Sequence, residues 1–445
     1  MNKKHKFKQQ ITITEYWCIW TIDRDINNAS YQKVSEETFF ELESFVLNEK
    51  NQAQDIFKLQ TKSWYWKVIS TQNYVWVIET KNWTLIEILP KISEDENIGE
   101  IRNIFLRMLK TLKDSPFKNL NEANLKNQKF PILEIFIELF LSELSILVKK
   151  WIKKNYVSEM DNLKFIKWKL KIKENISKNI VDHSKFVCEY DEFSDDTNEN
   201  RLIKTCLLKL SKISLNKKNQ QNINLFLHLF SDVWVCKNID LDLKLINNLN
   251  RLHTYYLPTL KWVKLFLWNE SVVNFSWNTL ALALLFPMET IFESYVASVL
   301  RKRLIWYSVS AQDSWKYLVE DHWWRWKFRL RPDLVITNNL NNHLIVADTK
   351  RKKIDSDMSW KNYQIDQHDM YQLYAYAKKY QCDELYLIYP YTSKFLSHKN
   401  ISPFIYEIKK DFDWNDIVPI RLKAIPYKID VNSFKNDECF LFNLD

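Results

Sequence analysis

One glycine in 445 residues sets the tightest limit on what this chain can build. Glycine is the residue that enters the left-handed region at no steric cost, so tight turns and helix ends depend on it. Average usage of ~7% would place roughly thirty here; Gly99 stands alone, beside 19 tryptophans. Abundant Lys, Asn and Ile fits AT-rich coding, yet that bias leaves glycine codons ending in A or T untouched. Where the tryptophans fall is more informative. In IETKNWTLIEILPKI, Trp83 follows Asn82 between two strand-like runs, where Asn-Gly is the strongest short hairpin signal. DHWWRWKF, residues 321–328, reads as a loop of small residues if Trp323, Trp324 and Trp326 are replaced by glycine. We therefore read many of these tryptophans as positions where the cell inserts glycine, a UGA codon having been translated as Trp. The expectation is that such residues sit in turns or loops with their rings exposed.

The remaining composition bounds the class. The length suits two or three domains, and 46% hydrophobic with 15% aromatic residues supplies a sizeable core. A net charge of +9, from 64 Lys and Arg against 55 Asp and Glu, favours a polyanionic partner by a modest margin. Cys18, Cys188, Cys206, Cys236, Cys382 and Cys439 are scattered without a C-x-x-C pair, which suggests reduced cytosolic thiols rather than a zinc knuckle or a disulfide framework. The opening MNKKHKFKQQITITEYW lacks an apolar core, so no signal peptide is expected. Phe130 to Val148, the longest apolar run, contains Glu134, Glu138 and Glu143; it is too charged for a membrane span and reads as an amphipathic or buried helix. A cytoplasmic, membrane-free protein is the expectation. No G-x-x-x-x-G-K-[ST] loop occurs, even with every Trp read as Gly, so nucleotide hydrolysis is not expected of this chain.

Periodicity divides the chain into three regions. Residues 1–100 carry short alternating runs such as YVWVIET and read as β-rich; 101–275 read as mainly helical; 276–445 alternate helix and strand as a compact α/β unit. In the middle region, the acidic stretch from Asp182 to Asn200 reads as a loop or mobile connection. In the last, strands are expected over Tyr307–Ser310, Lys327–Ile336, Leu344–Lys350 and Glu384–Tyr389, with helices over Met288–Arg303 and Gln367–Lys379.

Chemistry concentrates in RPDLVITNNLNNHLIVADTKRK, residues 331–352. Two apolar runs flank an Asn-rich turn, a strand-turn-strand signal. A symmetric turn sets Thr337 opposite Leu344 and therefore Asp333 opposite Asp348. Facing carboxylates weaken an antiparallel pair, so the arrangement makes sense when a cation lies between them. Strand side chains alternate with period two, which sends Lys350 to the same face as Asp348. Two carboxylates and an amine at one point suit a hard divalent cation and a water to be activated; a surface hairpin with scattered charges is the plain alternative. Downstream, Asp369, Gln372 and Tyr376 share one helix face at i, i+3 and i+7, suited either to DNA backbone or to packing on the sheet. Upstream, Glu293 lies at the edge of an apolar helix stripe running through Ile291, Phe292, Tyr295, Val296 and Val299.

Taken in order, the helix with Glu293, Pro332-Asp333, Asp348-Thr349-Lys350 and the Gln372-x-x-x-Tyr376 helix resemble a PD-(D/E)xK nuclease core. More widely, IEILPKI (86–92), CEYDEFSDDTNENRLIK (188–204), FPMETIFESYV (286–296), RPDLVI, ADTKRK, DMYQLYAY and LIYP (387–390) resemble the McrC family, the nuclease subunit of McrBC-type modification-dependent restriction systems. In IKWKL (166–170) the family tends to carry glycine where Trp168 stands. The resemblance implies that Asp333 and Asp348 hold Mg²⁺, with Mn²⁺ as a substitute, aided by the Thr349 carbonyl. It also implies that Lys350 orients or deprotonates the attacking water, that Glu293 assists through water, and that Gln372 and Tyr376 brace the site. Implied partners are double-stranded DNA and a McrB-like AAA+ GTPase, docked through the N-terminal part, that reads modified cytosine. The competing readings are a non-catalytic adaptor of an AAA+ ring and a stand-alone repair exonuclease.

Overall fold

A computed structural model describes residues 9–21, 31–47, 57–62, 66–80, 82, 84–91, 97–113, 115–119, 130–245, 251–267, 282–313, 316–322, 325–352, 359–390, 404–408, 420–427 and 429. The chain divides into two compact units, residues 133–270 with the first six residues, and 7–132 with 271–445.

The second of these begins with β1 (Gln9–Thr14), β2 (Cys18–Trp20) and β3 (Tyr31–Lys33), then helix α1 (Glu36–Leu47). Four strands follow: β4 (Phe57–Lys62), β5 (Trp66–Thr71), β6 (Tyr74–Glu79) and β7 (Thr84–Leu89), then α2 (Ile98–Leu109). Strand β1 alternates as a half-buried strand does, whereas β7 is buried along its whole length; Ile11 and Ile13 of β1, Ile78 of β6, and Ile86 and Ile88 of β7 enter one core with Phe39, Leu42 and Phe45 of α1. The β6–β7 hairpin expected around Asn82 forms, with Glu79 opposite Leu85 and Thr80 N donating to Thr84 O at 3.1 Å. That register leaves three residues between the arms, not the two of a type I′ turn; Trp83 lies outside the described residues. Within IEILPKI, Glu87 is buried and pairs with Arg102 of α2, and it also accepts from Ile132 N at 2.8 Å.

The 133–270 unit contains most of α3 (Ile132–Lys150), then β8 (Asn155–Leu163), β9 (Lys169–Leu170), α4 (Ile172–Lys178) and β10 (Phe186–Ser194). Helices α5 (Asn198–Ile213), α6 (Lys217–Leu229), α7 (Ile239–Leu245) and α8 (Leu257–Leu267) complete it. The apolar run expected not to span a membrane is α3, and no helix among the described residues is long and apolar enough to cross one. The acidic stretch expected as a loop is instead strand over Phe186–Ser194, paired antiparallel with β8. Val187, Cys188 and Tyr190 are buried while Asp191 and Glu192 face water, so a run rich in acids hid a pattern fit for a sheet. Beyond it Asn200 is fully buried, donating to Lys153 O at 2.9 Å and Asp195 O at 2.7 Å and accepting from the Tyr256 hydroxyl at 2.9 Å.

The chain then returns to the other unit. Strand β11 (Leu282–Pro287) adds antiparallel to β6 and closes a sheet of order β1-β7-β6-β11, while β3-β2-β5-β4 form another. Helix α9 (Met288–Arg303) leads to β12 (Tyr307–Ala311), the hairpin β13 (Tyr317–His322) and β14 (Arg325–Arg329), then β15 (Leu334–Asn338) and β16 (Leu344–Thr349). Helix α10 (Gln367–Tyr380), β17 (Glu384–Pro390), β18 (Phe404–Ile408) and β19 (Ile420–Tyr427) follow. Six strands make a mixed sheet of order β12-β15-β16-β17-β19-β18, with β16, β17 and β19 parallel. Helix α10 is the crossover a parallel β16–β17 pair requires. The strand expected over Lys327–Ile336 is broken between Arg329 and Leu334, because Pro332 has no N–H to give a ladder.

Ten non-glycine residues among those described have positive φ, and Gly99, which lies in α2, is not at such a position. Trp168 is one, at φ 59° in a bend and 84% exposed. Trp151, at φ 111° and 82% exposed, directly follows the last residue of α3, the place where helices end on glycine. Trp326 is exposed but lies in β14 rather than a loop; Trp323 and Trp324 are outside the described residues. Trp20 and Trp262 are buried.

Candidate active site

Strands β15 and β16 pair with Thr337 opposite Leu344 and Leu334 opposite Ala347. One step further along this register Asp333 faces Asp348. Val335 and Val346, their neighbours on the same face, enter a core with Leu373, Tyr376 and Tyr380 of α10. Period-two alternation therefore aims Asp333, Asp348 and Lys350 at the face that α10 covers.

Contacts at this point are dense. Asp333 Oδ2 accepts from Thr349 N and from Thr349 Oγ1, both at 2.7 Å. Lys350 Nζ stands 2.7 Å from Asp348 Oδ2 and 3.6 Å from Asp369 Oδ1, and donates to Gln372 Oε1 at 3.2 Å. The chain continues outward: Gln372 Nε2 donates to the Tyr376 hydroxyl at 2.7 Å, which donates to Arg331 O at 3.1 Å. Asp369 Oδ2 also holds Lys352 Nζ at 3.0 Å. A cavity of about 300 Å³ opens here, lined by Glu293, Asp333, Asp348, Lys350, Asp369 and Gln372 among others.

Electrostatics follow from burial. Asp348 is 2% exposed. Burial first, then the charge of Asp333, raises its pKa, and Lys350 only partly offsets this. Asp333 is raised by burial and then by Glu293, against the two hydrogen bonds from Thr349. Glu293 is raised by burial, with Asp348 adding to the effect and a hydrogen bond from Gln312 opposing it. For Lys350 burial pulls downward, but Asp348, Asp369 and Asp333 outweigh it and the ammonium is stabilised. Three acids thus resist ionisation around one ammonium, which is the electrostatic condition a divalent cation relieves.

All six residues singled out on the sequence, Glu293, Asp333, Asp348, Lys350, Gln372 and Tyr376, converge here, with Thr349 beside them. Tyr376 is buried and acts inside the protein, while Tyr371 on the same helix faces solvent. Asp369 was visible on the shared helix face, but nothing in the spacing showed that it would face Lys350. Glu289 and Lys352, which also line the cavity, went unassigned because exposed charged residues flanking a motif give no signal. Among the described residues no three His, Cys, Asp or Glu side chains form a ready-made cation cage. Two carboxylates with a neighbouring carbonyl nevertheless suit Mg²⁺, which keeps several waters and takes few protein ligands.

No curated protein matches the chain. Among solved structures, a chain from the refined half-complex of the tetradecameric assembly of Thermococcus gammatolerans McrB AAA+ hexamers with bound McrC is similar in fold. It is 17% identical with a TM-score of 0.61, and 96% of each chain is covered. The Thermococcus gammatolerans McrBC complex also matches, at 17% identity and a TM-score of 0.46, over 69% of this chain and 90% of that one. Residues 69–390 match the model of the family described as McrBC 5-methylcytosine restriction system component, a span that contains every candidate site residue. This chain belongs to the McrBC 5-methylcytosine restriction system component family.

Proposed function

We propose that the chain is the nuclease subunit of a modification-dependent restriction complex, a metal-dependent endodeoxyribonuclease with a PD-(D/E)xK core. In this reading it cleaves double-stranded DNA when driven by a McrB-like AAA+ GTPase, whose hydrolysis it stimulates. One observation carries it: Asp333, Asp348 and Lys350 meet on one sheet face, with Lys350 Nζ 2.7 Å from Asp348 and Glu293 and Gln372 lining the same cavity. An adaptor without catalysis gains nothing from two facing carboxylates, Asp348 buried and Asp333 half-buried, which weaken the hairpin that carries them.

Asp333 and Asp348 are the residues to hold Mg²⁺, with the Thr349 carbonyl beside them. Bound there, the cation supplies Lewis-acid polarisation of the scissile phosphate and a more acidic water. Asp333 is held for this by its two hydrogen bonds from Thr349. Lys350, kept charged by three carboxylates, neutralises charge developing on the phosphate and orients the attacking water. Gln372 and Tyr376 hold the ammonium in place through a chain that ends on a backbone carbonyl. Glu293, partly buried and reluctant to ionise, is placed to accept a hydrogen bond from, or pass a proton to, a water in the cavity. The McrB AAA+ hexamers named with the structural relative motivate the partner; 5-methylcytosine in the family description motivates the substrate.

The test is reconstitution of the full chain with the AAA+ protein, GTP and a duplex carrying 5-methylcytosine. Cutting is expected with Mg²⁺ or Mn²⁺ and is absent with EDTA. Cutting of equal rate in EDTA contradicts the assignment.

A further inference from the structure

The sheet β1-β7-β6-β11 grips the candidate site at two places. At the first, Glu15, the residue after β1, is 0% exposed and forms a buried ion pair with Arg351, the residue after Lys350. Glu15 is itself fixed to the sheet: its N donates to Leu89 O at 2.9 Å, and its Oε2 accepts from Lys91 N at 2.9 Å. On the other side, Lys350 N donates to Ile388 O at 2.9 Å, so the backbone around Lys350 is tied to β17 before it and to the N-terminal sheet just after it. At the second, β11 runs directly into α9: Met288 N donates to Asn73 O at 3.4 Å, and Asn73 Nδ2 donates to Glu289 Oε1 at 3.0 Å. That contact lies one helical turn before Glu293.

A buried ion pair is poor evidence for stability as such. Taking both charges out of water costs several kcal/mol per ion, and an apolar pair of the same volume often does as well. Here the carboxylate's burial raises its pKa against the pull of Arg351, so ionisation is not without cost. What such a pair does supply is registry, because neither partner can leave without stranding the other. Its location supplies the reason for registry: it joins the edge strand of one sheet to the residue beside the ammonium on another. Glu15 also lies outside the 69–390 family match.

We propose that Glu15 is a positioning residue for the reaction, acting through Arg351 to fix the end of β16 and with it Lys350 against Asp348. Together with the Asn73–Glu289 contact it makes the N-terminal sheet part of the active-site frame. The functional part of this inference rests on the nuclease reading; the mechanical part does not.

The experiment compares full-length wild type, Glu15→Gln, Glu15→Asp and the double variant Glu15→Leu/Arg351→Met. Hydrogen exchange by mass spectrometry is measured on the chain alone, and single-turnover DNA cleavage on the reconstituted complex. Glu15→Gln is expected to speed exchange in peptides covering 344–352 by about tenfold or more, with peptides covering 384–390 unchanged. The cleavage rate should fall on the order of tenfold to a hundredfold with DNA affinity unchanged. Glu15→Asp, which keeps the charge, should recover part of both. The double variant leaves no charge stranded, so it reports on the latch if Glu15→Gln fails to fold. Wild-type exchange at 344–352 in a folded variant overturns the proposal, as does exchange that rises equally everywhere. A wild type that never cuts overturns the nuclease reading instead, and exchange alone then decides the latch.

Discussion

Asp348 shows at the scale of one residue how a site of this kind costs stability. It is buried, faces Asp333 across the hairpin, and has a raised pKa because burial and that neighbour disfavour its charge. A carboxyl whose folded pKa exceeds its unfolded value stabilises the fold while protonated, below about pH 4, and loses that contribution as pH rises through the raised value. Metal-free Asp348→Asn should therefore melt about 2–4 °C above wild type at pH 8, with the gap closing as pH falls toward 4. Added Mg²⁺ should narrow the gap from the other side by stabilising wild type alone. A variant that melts lower than wild type at pH 8 contradicts the electrostatic account. The tryptophans make a second prediction at this scale. A bulky residue at φ 111° or 59° is an outlier, and Trp151 and Trp168 hold those angles with exposed rings. Trp262, by contrast, is buried against Phe136 and Phe266, where glycine would leave a large cavity. Peptide mass spectrometry on protein from the native host should find glycine at 151 and 168 and tryptophan at 20 and 262. Tryptophan at 151 and 168 would sink the recoding.

Between elements, the relation that matters is helix α10 over the β15–β16 hairpin. Gln372 and Tyr376 lie one turn apart on α10 and extend a hydrogen-bond chain from Lys350 to Arg331 O. Gln372→Ala should leave Lys350 charged but free to swing, lowering the single-turnover cleavage rate on the order of tenfold to a hundredfold while DNA binding stays unchanged; an unchanged rate removes the brace from the mechanism. The hairpin was legible in the sequence down to its register, because both arms are apolar, the turn is Asn-rich and side-chain alternation is strict. Helix α10 was legible from its spacing, but Asp369 facing Lys350 was not, since spacing fixes a helix face and not its rotation against the sheet. Strand β10 was hidden by the exposed acids Asp191 and Glu192 near its end, and the break at Pro332 was passed over because apolar residues continue on both sides. Long-range partners such as Glu15 and Arg351 carry no local pattern at all; only tertiary structure brings them together across 336 positions.

For the whole molecule, the candidate site belongs to a unit assembled from both ends of the described chain, residues 7–132 and 271–445. Strand β11 pairs with β6 before the chain enters α9, so the N-terminal sheet is continuous with the frame that carries Glu293. On the nuclease reading proposed above, this arrangement would couple a motor to a cut within one chain: the charge of +9 is small, so contact with DNA phosphates is expected to be weak and salt-sensitive, with delivery to the site left to the partner. The most direct test measures cleavage and GTP hydrolysis in the same reconstituted reaction, comparing wild type with Asp348→Asn and Lys350→Ala. Both variants are expected to lose cleavage by about a thousandfold or more, as removal of groups that stabilise the transition state does, while stimulating GTP hydrolysis as wild type does. Either variant cutting at the wild-type rate would contradict the site assigned here.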